Sequence, residues 1–362
     1  MSGRPVPQKK YTCLAGFRAA WRRCDSAMSL RGTLRTISLA TAVLFATVLP
    51  AQAAGAALDL DAVLAPVIAL EARIPEHART APTLGTVRGG TGVVIDATGL
   101  VLTIGYLVLE ADSVDLLPTG LGGARLPADV VAWDQGTGLG LVRAREPLEI
   151  TPMPLGESAA LRSGDAVIAA SWEGSAGMLP AVVVDRRAYA GYWEYLIEDA
   201  LYVAPIHPAF PGAALVGLDG RLVGIGGFAL TDSVDEGETV GTVFVPIDAL
   251  KPVLADLLLE GRPAEPRPWL GLYCEEIDGG LQVRRVPADG PAARAGVRPH
   301  DRLLAVAGMP VTTLGAFYRR LWSTAGPGDR VPLQLRRGVD SITVEVEAID
   351  RYQYLRLDGR RP

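Results

Sequence analysis

Short apolar runs separated by Gly, Pro and Asp dominate residues 66–245, and no long helical period interrupts them until the end of this region. Such runs are typical of β-strands bounded by turns, and about a dozen of them indicate a sandwich or a barrel. We predict strands at Val67–Ile74, Gly92–Ile95, Leu100–Thr103, Ser113–Leu117, Ala128–Trp133, Leu139–Val142, Ala166–Ser171, Ala181–Val184, Ala213–Val216, Leu222–Ile225 and Thr242–Val245.

The spacing of apolar residues changes after residue 245. Apolar residues at helical spacing predict a helix over Ile247–Glu260, and Gly261 is placed to cap it. The next segment, Gly261–Pro268, is short, charged and rich in proline, which favours an extended and semi-rigid linker. The sequence therefore predicts a first domain over residues 54–260 and a linker over residues 261–268.

A second pattern of strands and helices follows the linker and predicts a small, partly open β-barrel flanked by two helices over residues 269–350. Beyond it, residues 351–362 form a basic tail that is expected to be loose at its end. The predicted elements are strands Leu270–Glu275, Leu281–Val286, Leu303–Val306, Val331–Leu335 and Ile342–Val346, and helices Pro291–Gly296 and Leu314–Trp322.

The first 53 residues have the features of a secretory signal peptide. Arg31 and Arg35 precede an uncharged apolar run, Ile37–Leu49, and small residues follow at Ala51–Ala53. This order predicts cleavage after Ala53 and export. Retention of the uncharged stretch over residues 36–58 as a membrane anchor stays open, as does a start at Met28 that would make residues 1–27 an over-extension.

The charge and the cysteine content of the chain beyond residue 53 argue against some functions and structural features. Beyond residue 53 there are 27 basic and 39 acidic residues, a net charge of −12. This balance argues against a surface that binds nucleic acid or anionic lipid, since both need clustered Lys and Arg. Cys274 is the single cysteine left after Ala53, so no disulfide can form within the exported chain, and we interpret it as a small buried apolar residue.

Several segments together resemble the HtrA/DegP type of periplasmic serine protease. Gly90–Asp96 and Gly99–Thr103 match the strand, turn and strand before the family's catalytic histidine. The strand pair around its nucleophile is matched by Pro208, Gly212, Leu215–Val216 and Leu218–Ile225. The resemblance covers roughly residues 60–350. It implies a mainly β fold, with a chymotrypsin-like double β-barrel over 54–260 and a small α+β PDZ domain over 269–350.

The PDZ resemblance also implies a peptide-binding site. Trp269, Leu270, Gly271 and Leu272 stand where the family has its carboxylate-binding loop. A peptide C-terminus would add as a strand beside this segment, with its carboxylate held by backbone N–H groups and with the helix Leu314–Trp322 as a wall. The alternative is a PDZ domain packed against its own barrel without a ligand.

The catalytic residues that the family uses are replaced in this sequence. Acyl transfer on this fold needs a hydroxyl nucleophile, an imidazole base, an orienting carboxylate and N–H donors for the oxyanion. The resemblance assigns the base position to Tyr106, the carboxylate position to Gly138 and the nucleophile position to Pro211. Proline lacks both a hydroxyl and an N–H, so it removes nucleophile and oxyanion donor together. Asp134, four residues before Gly138, is expected to point elsewhere.

The remaining His and Lys residues do not indicate a metal site or another catalytic mechanism. His77, His207 and His300 lie in distant segments, without the spacing that metal sites use. His207 is near Pro211, and we favour a structural or surface role for it over catalysis. Lys251 falls on the predicted helix, which leaves no lysine for a Ser–Lys dyad. We therefore predict no metal and no cofactor.

These observations lead to the hypothesis of an exported, periplasmic pseudoprotease. It would bind proteins or peptide C-termini through its PDZ domain and its degenerate barrel, as a scaffold, a chaperone-like factor or a regulator of an active relative, with homotrimers or mixed assemblies expected from the resemblance. Two alternatives stay open: an active serine endopeptidase of envelope protein quality control, and a structural subunit of a periplasmic or membrane complex. Tyr106 and Phe210 are expected to fill the former cleft. The aromatic run over residues 187–195 is compatible with either core or interface.

Overall fold

The computed structural model describes residues 58–118, 124–191, 195–234 and 237–355. The predicted signal peptide, residues 1–53, and the end of the predicted tail lie outside the described residues. None of the helices in these ranges is long and apolar enough to cross a membrane.

The first six strands form a closed antiparallel barrel in the order β1-β2-β3-β6-β5-β4. Its interior is filled by alternate apolar side chains of each strand, including Ile68, Leu70, Leu102 and Leu141, which are 0–2% exposed. The strands are β1 (Val67–Arg73), β2 (Val87–Val94), β3 (Leu100–Ile104), β4 (Ser113–Leu117), β5 (Leu126–Trp133) and β6 (Leu139–Ala144).

The next six strands close a second barrel in the order β10-β11-β12-β9-β8-β7. Strands β8 and β9 form a hairpin that is much longer than the predicted strand Ala181–Val184, because pairing continues from Val182↔Ala204 to Gly191↔Tyr195. The strands are β7 (Ala166–Ala170), β8 (Met178–Gly191), β9 (Tyr195–Ala204), β10 (Ala214–Gly217), β11 (Leu222–Val234) and β12 (Gly237–Pro246).

The C-terminal strands form a separate sheet in the order β14-β15-β16-β18-β19, with β17 paired to β16 and with a short pair made by β13 and β20. The fold class predicted from the sequence, a double β-barrel followed by a small α+β domain, is confirmed. The strands are β13 (Pro268–Trp269), β14 (Tyr273–Ile277), β15 (Gly280–Arg285), β16 (Arg302–Val306), β17 (Met309–Pro310), β18 (Arg330–Arg337), β19 (Asp340–Glu347) and β20 (Ile349–Asp350).

The helices of the described ranges are short except for α6. The predicted helix Ile247–Glu260 is divided: a 3₁₀ turn at Ile247–Ala249 precedes the α-helix, which begins only at Leu254, after Pro252. Gly261 caps it in the left-handed conformation, as predicted. The α-helices are α1 (Leu60–Leu64), α2 (Ala81–Leu84), α3 (Gly105–Val108), α4 (Leu254–Glu260), α5 (Pro291–Arg294), α6 (Leu314–Thr324) and α7 (Arg351–Tyr354).

Two segments that were predicted as linker and tail make more contacts than expected. The predicted linker ends in β13, where Pro268 pairs with Asp350. The predicted tail begins with α7, and Arg351 in it is only 1% exposed. Aromatic partners from other parts of the chain explain this order, since neither segment contains enough apolar residues to form a core by itself.

Candidate functional site

Tyr106 lies on α3, directly beyond the third barrel strand. Its hydroxyl donates a hydrogen bond to the carbonyl of Gly227 on β11, at 3.0 Å. The preceding Gly105 donates its N–H to the carbonyl of Gly138, at 2.7 Å. Only glycine fits at 105, because a Cβ there would lie 2.1 Å from Cδ1 of Trp133. Tyr106 is therefore held between the two barrels by backbone contacts on both sides.

Gly138 has a left-handed backbone, with φ of +76°. A residue with a side chain is strained in this conformation. Asp134, in the preceding loop, uses both carboxylate oxygens locally: it accepts from the N–H of Gly136 at 2.8 Å and of Thr137 at 2.9 Å. The carboxylate of Asp134 thus stabilises its own turn, in agreement with the expectation that it points elsewhere.

Pro211 is fixed by its carbonyl oxygen, which accepts the N–H of Thr91 on β2 at 2.9 Å. This contact needs a glycine at the neighbouring position, because a Cβ on Gly90 would lie 2.7 Å from that oxygen. The next residue, Gly212, has φ of +76°, and its Cβ would lie 2.0 Å from the Thr91 carbonyl oxygen. The loop is therefore pressed against the first barrel through backbone atoms.

The structure brings the three predicted positions into one region, where the barrels meet. Gly212 donates to the carbonyl of Gly226 at 2.9 Å, and the next residue, Gly227, accepts from the Tyr106 hydroxyl. Gly138 is joined to the same region through Gly105. The region contains a tyrosine hydroxyl, a glycine and a proline at the positions that the resemblance assigns to the base, the carboxylate and the nucleophile, respectively.

His207 is buried close to this region and has a structural set of hydrogen bonds. Its Nδ1 accepts the N–H of Ala209 at 3.2 Å, so Nε2 carries the hydrogen and donates to the carbonyl of Gly177 at 2.9 Å. The backbone N–H of His207 donates to Oγ1 of Thr242. Both ring nitrogens are engaged, which agrees with the structural role that we favoured. Across the described part of the chain, no group of three His, Cys, Asp or Glu is arranged to hold a metal ion.

An aromatic stack closes the surface between the barrels. Phe228 stacks on Tyr189 with ring centroids 4.8 Å apart, and it lies 6.3 Å from the ring of Tyr106. Tyr106 was expected to fill this cleft, but Phe228 was missed because it follows the predicted strand Leu222–Ile225, whereas β11 continues through it. The carbonyl of Phe210 accepts from Ala213 and helps to form the loop.

The predicted carboxylate-binding loop lies inside the molecule. Trp269, Leu270 and Leu272 are 0% exposed, and Gly271 is buried and has φ of +69°. The Leu270 carbonyl accepts the N–H of Ala292 at the start of α5, at 2.8 Å. A peptide carboxylate can therefore reach this loop only after the side chains that cover the loop have moved.

The β8–β9 hairpin of the second barrel packs on the C-terminal domain through α6. Leu196 on β9 is buried in the apolar core cluster of that domain. The Tyr318 hydroxyl of α6 donates to the carbonyl of Gly191 at 2.8 Å. The packing of the domain on its own barrel, which was one alternative of the sequence analysis, is thus the arrangement that the structure contains.

Charged contacts continue this interface. The guanidinium of Arg319 on α6 binds Glu198 through Nε at 2.9 Å, and it holds the pKa of the Glu198 carboxyl below its usual value. Arg267 lies 4.1 Å from the ring centroid of Trp322, and burial lowers the pKa of its guanidinium. A cavity of about 920 Å³ beside Arg267 is lined by both barrels, the predicted linker and α6.

Comparison with known protein families identifies both domains. The trypsin-like peptidase domain matches residues 90–225, and the PDZ domain matches residues 268–348. These matches support the resemblance stated from the sequence.

Curated relatives are serine proteases. The periplasmic serine endoprotease DegP of Salmonella typhimurium is 26% identical over 279 residues, which cover 71% of this chain and 56% of DegP. The putative serine protease HhoA of Synechocystis sp. is 28% identical over 287 residues, covering 71% of this chain and 70% of HhoA. The serine protease Do-like HtrA of Bacillus subtilis is 24% identical over 288 residues, covering 71% and 63%. The chain thus spans little more than half of DegP.

Solved structures of HtrA-type proteases have the same fold. The HtrA-type protease AlgW with a decapeptide aligns with a TM-score of 0.50 and 21% identity, covering 83% of this chain and 100% of that chain. A variant of AlgW with a tripeptide aligns with a TM-score of 0.51 and 20% identity, covering 83% and 99%. At this level of identity, the likeness concerns the fold alone.

Proposed function

We propose that this chain, which combines a trypsin-like peptidase domain with a PDZ domain and has HtrA and DegP proteases as homologues, is a pseudoprotease that binds polypeptides without cleaving them. The observation that supports this most is Pro211, at the position that the resemblance assigns to the nucleophile. It offers no hydroxyl and no N–H, and its carbonyl is bound to Thr91.

The surrounding residues do not compensate for Pro211. Tyr106 directs its phenol hydrogen at a backbone carbonyl, whereas a general base must accept a proton from the nucleophile. Both nitrogens of His207 are occupied, and Gly138 offers no carboxylate. The loop that contains Pro211 is bound through its backbone to Thr91 and Gly226, and replacing side chains does not change these contacts.

The binding role follows from the PDZ domain and from the relatives. AlgW is a structural neighbour that was solved with peptides. In this chain, the loop Trp269–Leu272 would hold the carboxylate of a polypeptide C-terminus through backbone N–H groups. We place the pseudoprotease domain at residues 54–260, the linker at 261–268, the PDZ domain at 269–350 and the tail at 351–362.

Export completes the proposal. Residues 1–53 would direct the chain to the periplasm, the compartment named for DegP of S. typhimurium. There it would act as a scaffold, a chaperone-like factor or a regulator of an active relative, alone or in a homotrimer or mixed assembly.

The hydrolytic part of the proposal is tested with a fluorophosphonate probe and with unfolded casein, using DegP as the active control. We expect neither labelling nor cleavage by this chain, and the same result for the single variant Pro211→Ser. The triple variant Tyr106→His, Gly138→Asp, Pro211→Ser is also expected to be inactive, because the loop of residues 210–212 stays bound to β2 and β11 through its backbone. Casein cleavage by the unaltered chain that the probe blocks would overturn the proposal in favour of an active endopeptidase.

The binding part is tested separately with a fluorescent peptide that has an apolar C-terminal residue. The same peptide with an amidated C-terminus is the control, since it lacks the carboxylate that the loop would hold. Binding of the free acid alone supports recognition of C-termini. Equal binding of both forms would overturn it.

A further inference from the structure

The residues that follow β20 cross the predicted carboxylate-binding loop. We name Arg351–Leu355, which comprises α7 and the residue after it, the strap. Its position is fixed by the short pair that β20 makes with β13, in which Ile349 is opposite Trp269. The first residue of the loop and the base of the strap are thus neighbours by backbone pairing.

The strap and the loop form three layers. Innermost is Gly271, over which the indole of Trp269 folds: a Cβ on Gly271 would lie 3.0 Å from Cη2 of that indole. Outermost is the ring of Tyr354, whose centroid lies 4.6 Å from that of Trp269. The Tyr354 hydroxyl also donates to the carbonyl of Ala288, at 3.0 Å. Trp269 therefore covers the loop backbone, and the strap holds Trp269 in place.

The other side of the strap is attached to the first barrel. The ring of Tyr352 lies 5.2 Å from Trp133, and its hydroxyl donates to the Trp133 carbonyl. Leu355 is buried in a small cluster with Trp133 and Leu109. The guanidinium of Arg79, before α2, lies 4.6 Å from the Tyr354 ring. The strap consequently ties the loop of one domain to the surface of another.

The packing around the strap buries polar groups, and this burial is unfavourable. The guanidinium of Arg351 is buried between two indoles, 5.5 Å from the Trp133 ring and 5.8 Å from the Trp269 ring. The Nε1 atoms of Trp133 and Trp269 are both buried and have no hydrogen-bond partner within the described ranges. Unpaired buried donors are unfavourable, so they lower the stability of the packing around the strap.

We propose that the strap is a releasable cover of the peptide-binding loop. While it is seated, Trp269 shields the backbone N–H groups that would hold a peptide carboxylate. When it is released, Trp269 is free to turn away and the loop opens at Gly271. The proposal rests on the peptide binding proposed above and adds its regulation.

Hydrogen exchange tests the cover directly and needs no ligand. The full chain is compared with a variant that ends at Asp350, with exchange followed over residues 269–274 and, as an internal reference, over β16 and β18. We expect exchange at 269–274 to become about tenfold faster in the shortened chain while the reference strands are unchanged. Equal exchange in both proteins would overturn the cover.

Two full-length point variants keep the test valid if the shortened chain folds poorly. Tyr354→Ala removes the ring that lies on Trp269, and we expect faster exchange over 269–274 in this variant as well. Val339→Ala changes a 96% exposed residue in the turn between β18 and β19, at the end of these strands opposite to β20, and is the control. Faster exchange over 269–274 in Val339→Ala, to the same extent, would also contradict the proposal.

Binding of the peptide with a free carboxylate tests the cover and the proposed peptide binding independently. We expect about tenfold tighter binding by the shortened chain than by the full chain. Equal affinity of the two chains would overturn the cover and leave peptide binding intact. Faster exchange without binding by either chain would instead overturn peptide binding and support the cover.

Discussion

The junction between the barrels and the loop of the PDZ domain are both filled by the chain itself, but by different parts of it. At the junction, backbone atoms make the contacts: the carbonyl of Pro211 meets the N–H of Thr91, and Gly212 lies against the carbonyl of the same residue. At the loop, the side chains of Trp269 and Tyr354 make them. Opening the junction would require the backbone to move, whereas opening the loop would require movement of the side chains of a short segment.

The largest effect is expected from Gly212→Ala, which tests the backbone contact. The added Cβ would lie 2.0 Å from the Thr91 carbonyl oxygen, so the free energy of unfolding should fall by about 3 kcal/mol or more. Urea unfolding measures it. The control is Gly164→Ala, which has φ of +96° but open space around it and should lose only about 1 kcal/mol. Equal losses would show that strain alone matters and that the junction is not tightly packed.

A smaller effect is expected at the loop, from Tyr354→Ala. Loss of the ring on Trp269 should lower the free energy of unfolding by about 2 kcal/mol, and it should shift the indole fluorescence towards that of an exposed tryptophan. The matched variant Tyr354→Phe keeps the ring and loses only the bond to Ala288, for about 1 kcal/mol. An unchanged emission spectrum in Tyr354→Ala would contradict the layered arrangement.

The variant Tyr106→Phe, at the junction between the barrels, tests whether the Tyr106 hydroxyl has a structural or a catalytic role. It removes the hydrogen bond to Gly227, and the free energy of unfolding should fall by about 1 kcal/mol. Thermal unfolding measures this change, and binding of the C-terminal peptide should not change. Loss of a hydrolytic activity in this variant would mean that the phenol takes part in chemistry.

The smallest effect is expected where Glu198 joins the second barrel to α6. Because Arg319 lowers the pKa of Glu198, the pair stabilises the folded chain above the ordinary carboxyl pKa of about 4.5 and loses this contribution as the pH falls through the lowered value. Both side chains are more than half exposed, so Glu198→Gln should cost less than about 1 kcal/mol at pH 7 and almost nothing below about pH 3.

Chemical unfolding at several pH values measures the difference between the two proteins. The control is Glu345→Gln, whose partner Arg330 is 4.0 Å away on an exposed sheet surface and should contribute almost nothing at any pH. A cost of Glu198→Gln that stays constant from pH 7 to about pH 3 would contradict the role of the ion pair.

Much of the architecture could be predicted because it depends on local pattern. Apolar runs identify strands, and Gly261 identifies the end of α4 through its left-handed conformation. The junction could also be located, because the resemblance orders the segments that contain Tyr106, Gly138 and Pro211. What the sequence did not indicate is how those residues are bound, since the partners Gly227 and Thr91 are backbone groups of distant strands.

The coverage of the PDZ loop could not be predicted, for a different reason. The strap contains Arg351, Tyr352 and Tyr354, which read as a polar and basic tail because their partners are aromatic residues elsewhere in the chain. Leu196 is similar: as one apolar residue of a strand it gives no indication that it packs on another domain. Periodicity shows that a side chain is buried and does not show against which neighbour.

The pair formed by β13 and β20 has a consequence for modular architecture. It joins the first and last residues of the PDZ domain, so the two ends of the domain lie side by side. This arrangement favours transplantation of the domain into a loop of another protein, whereas its deletion here would expose Leu196 and the other hairpin groups that it covers.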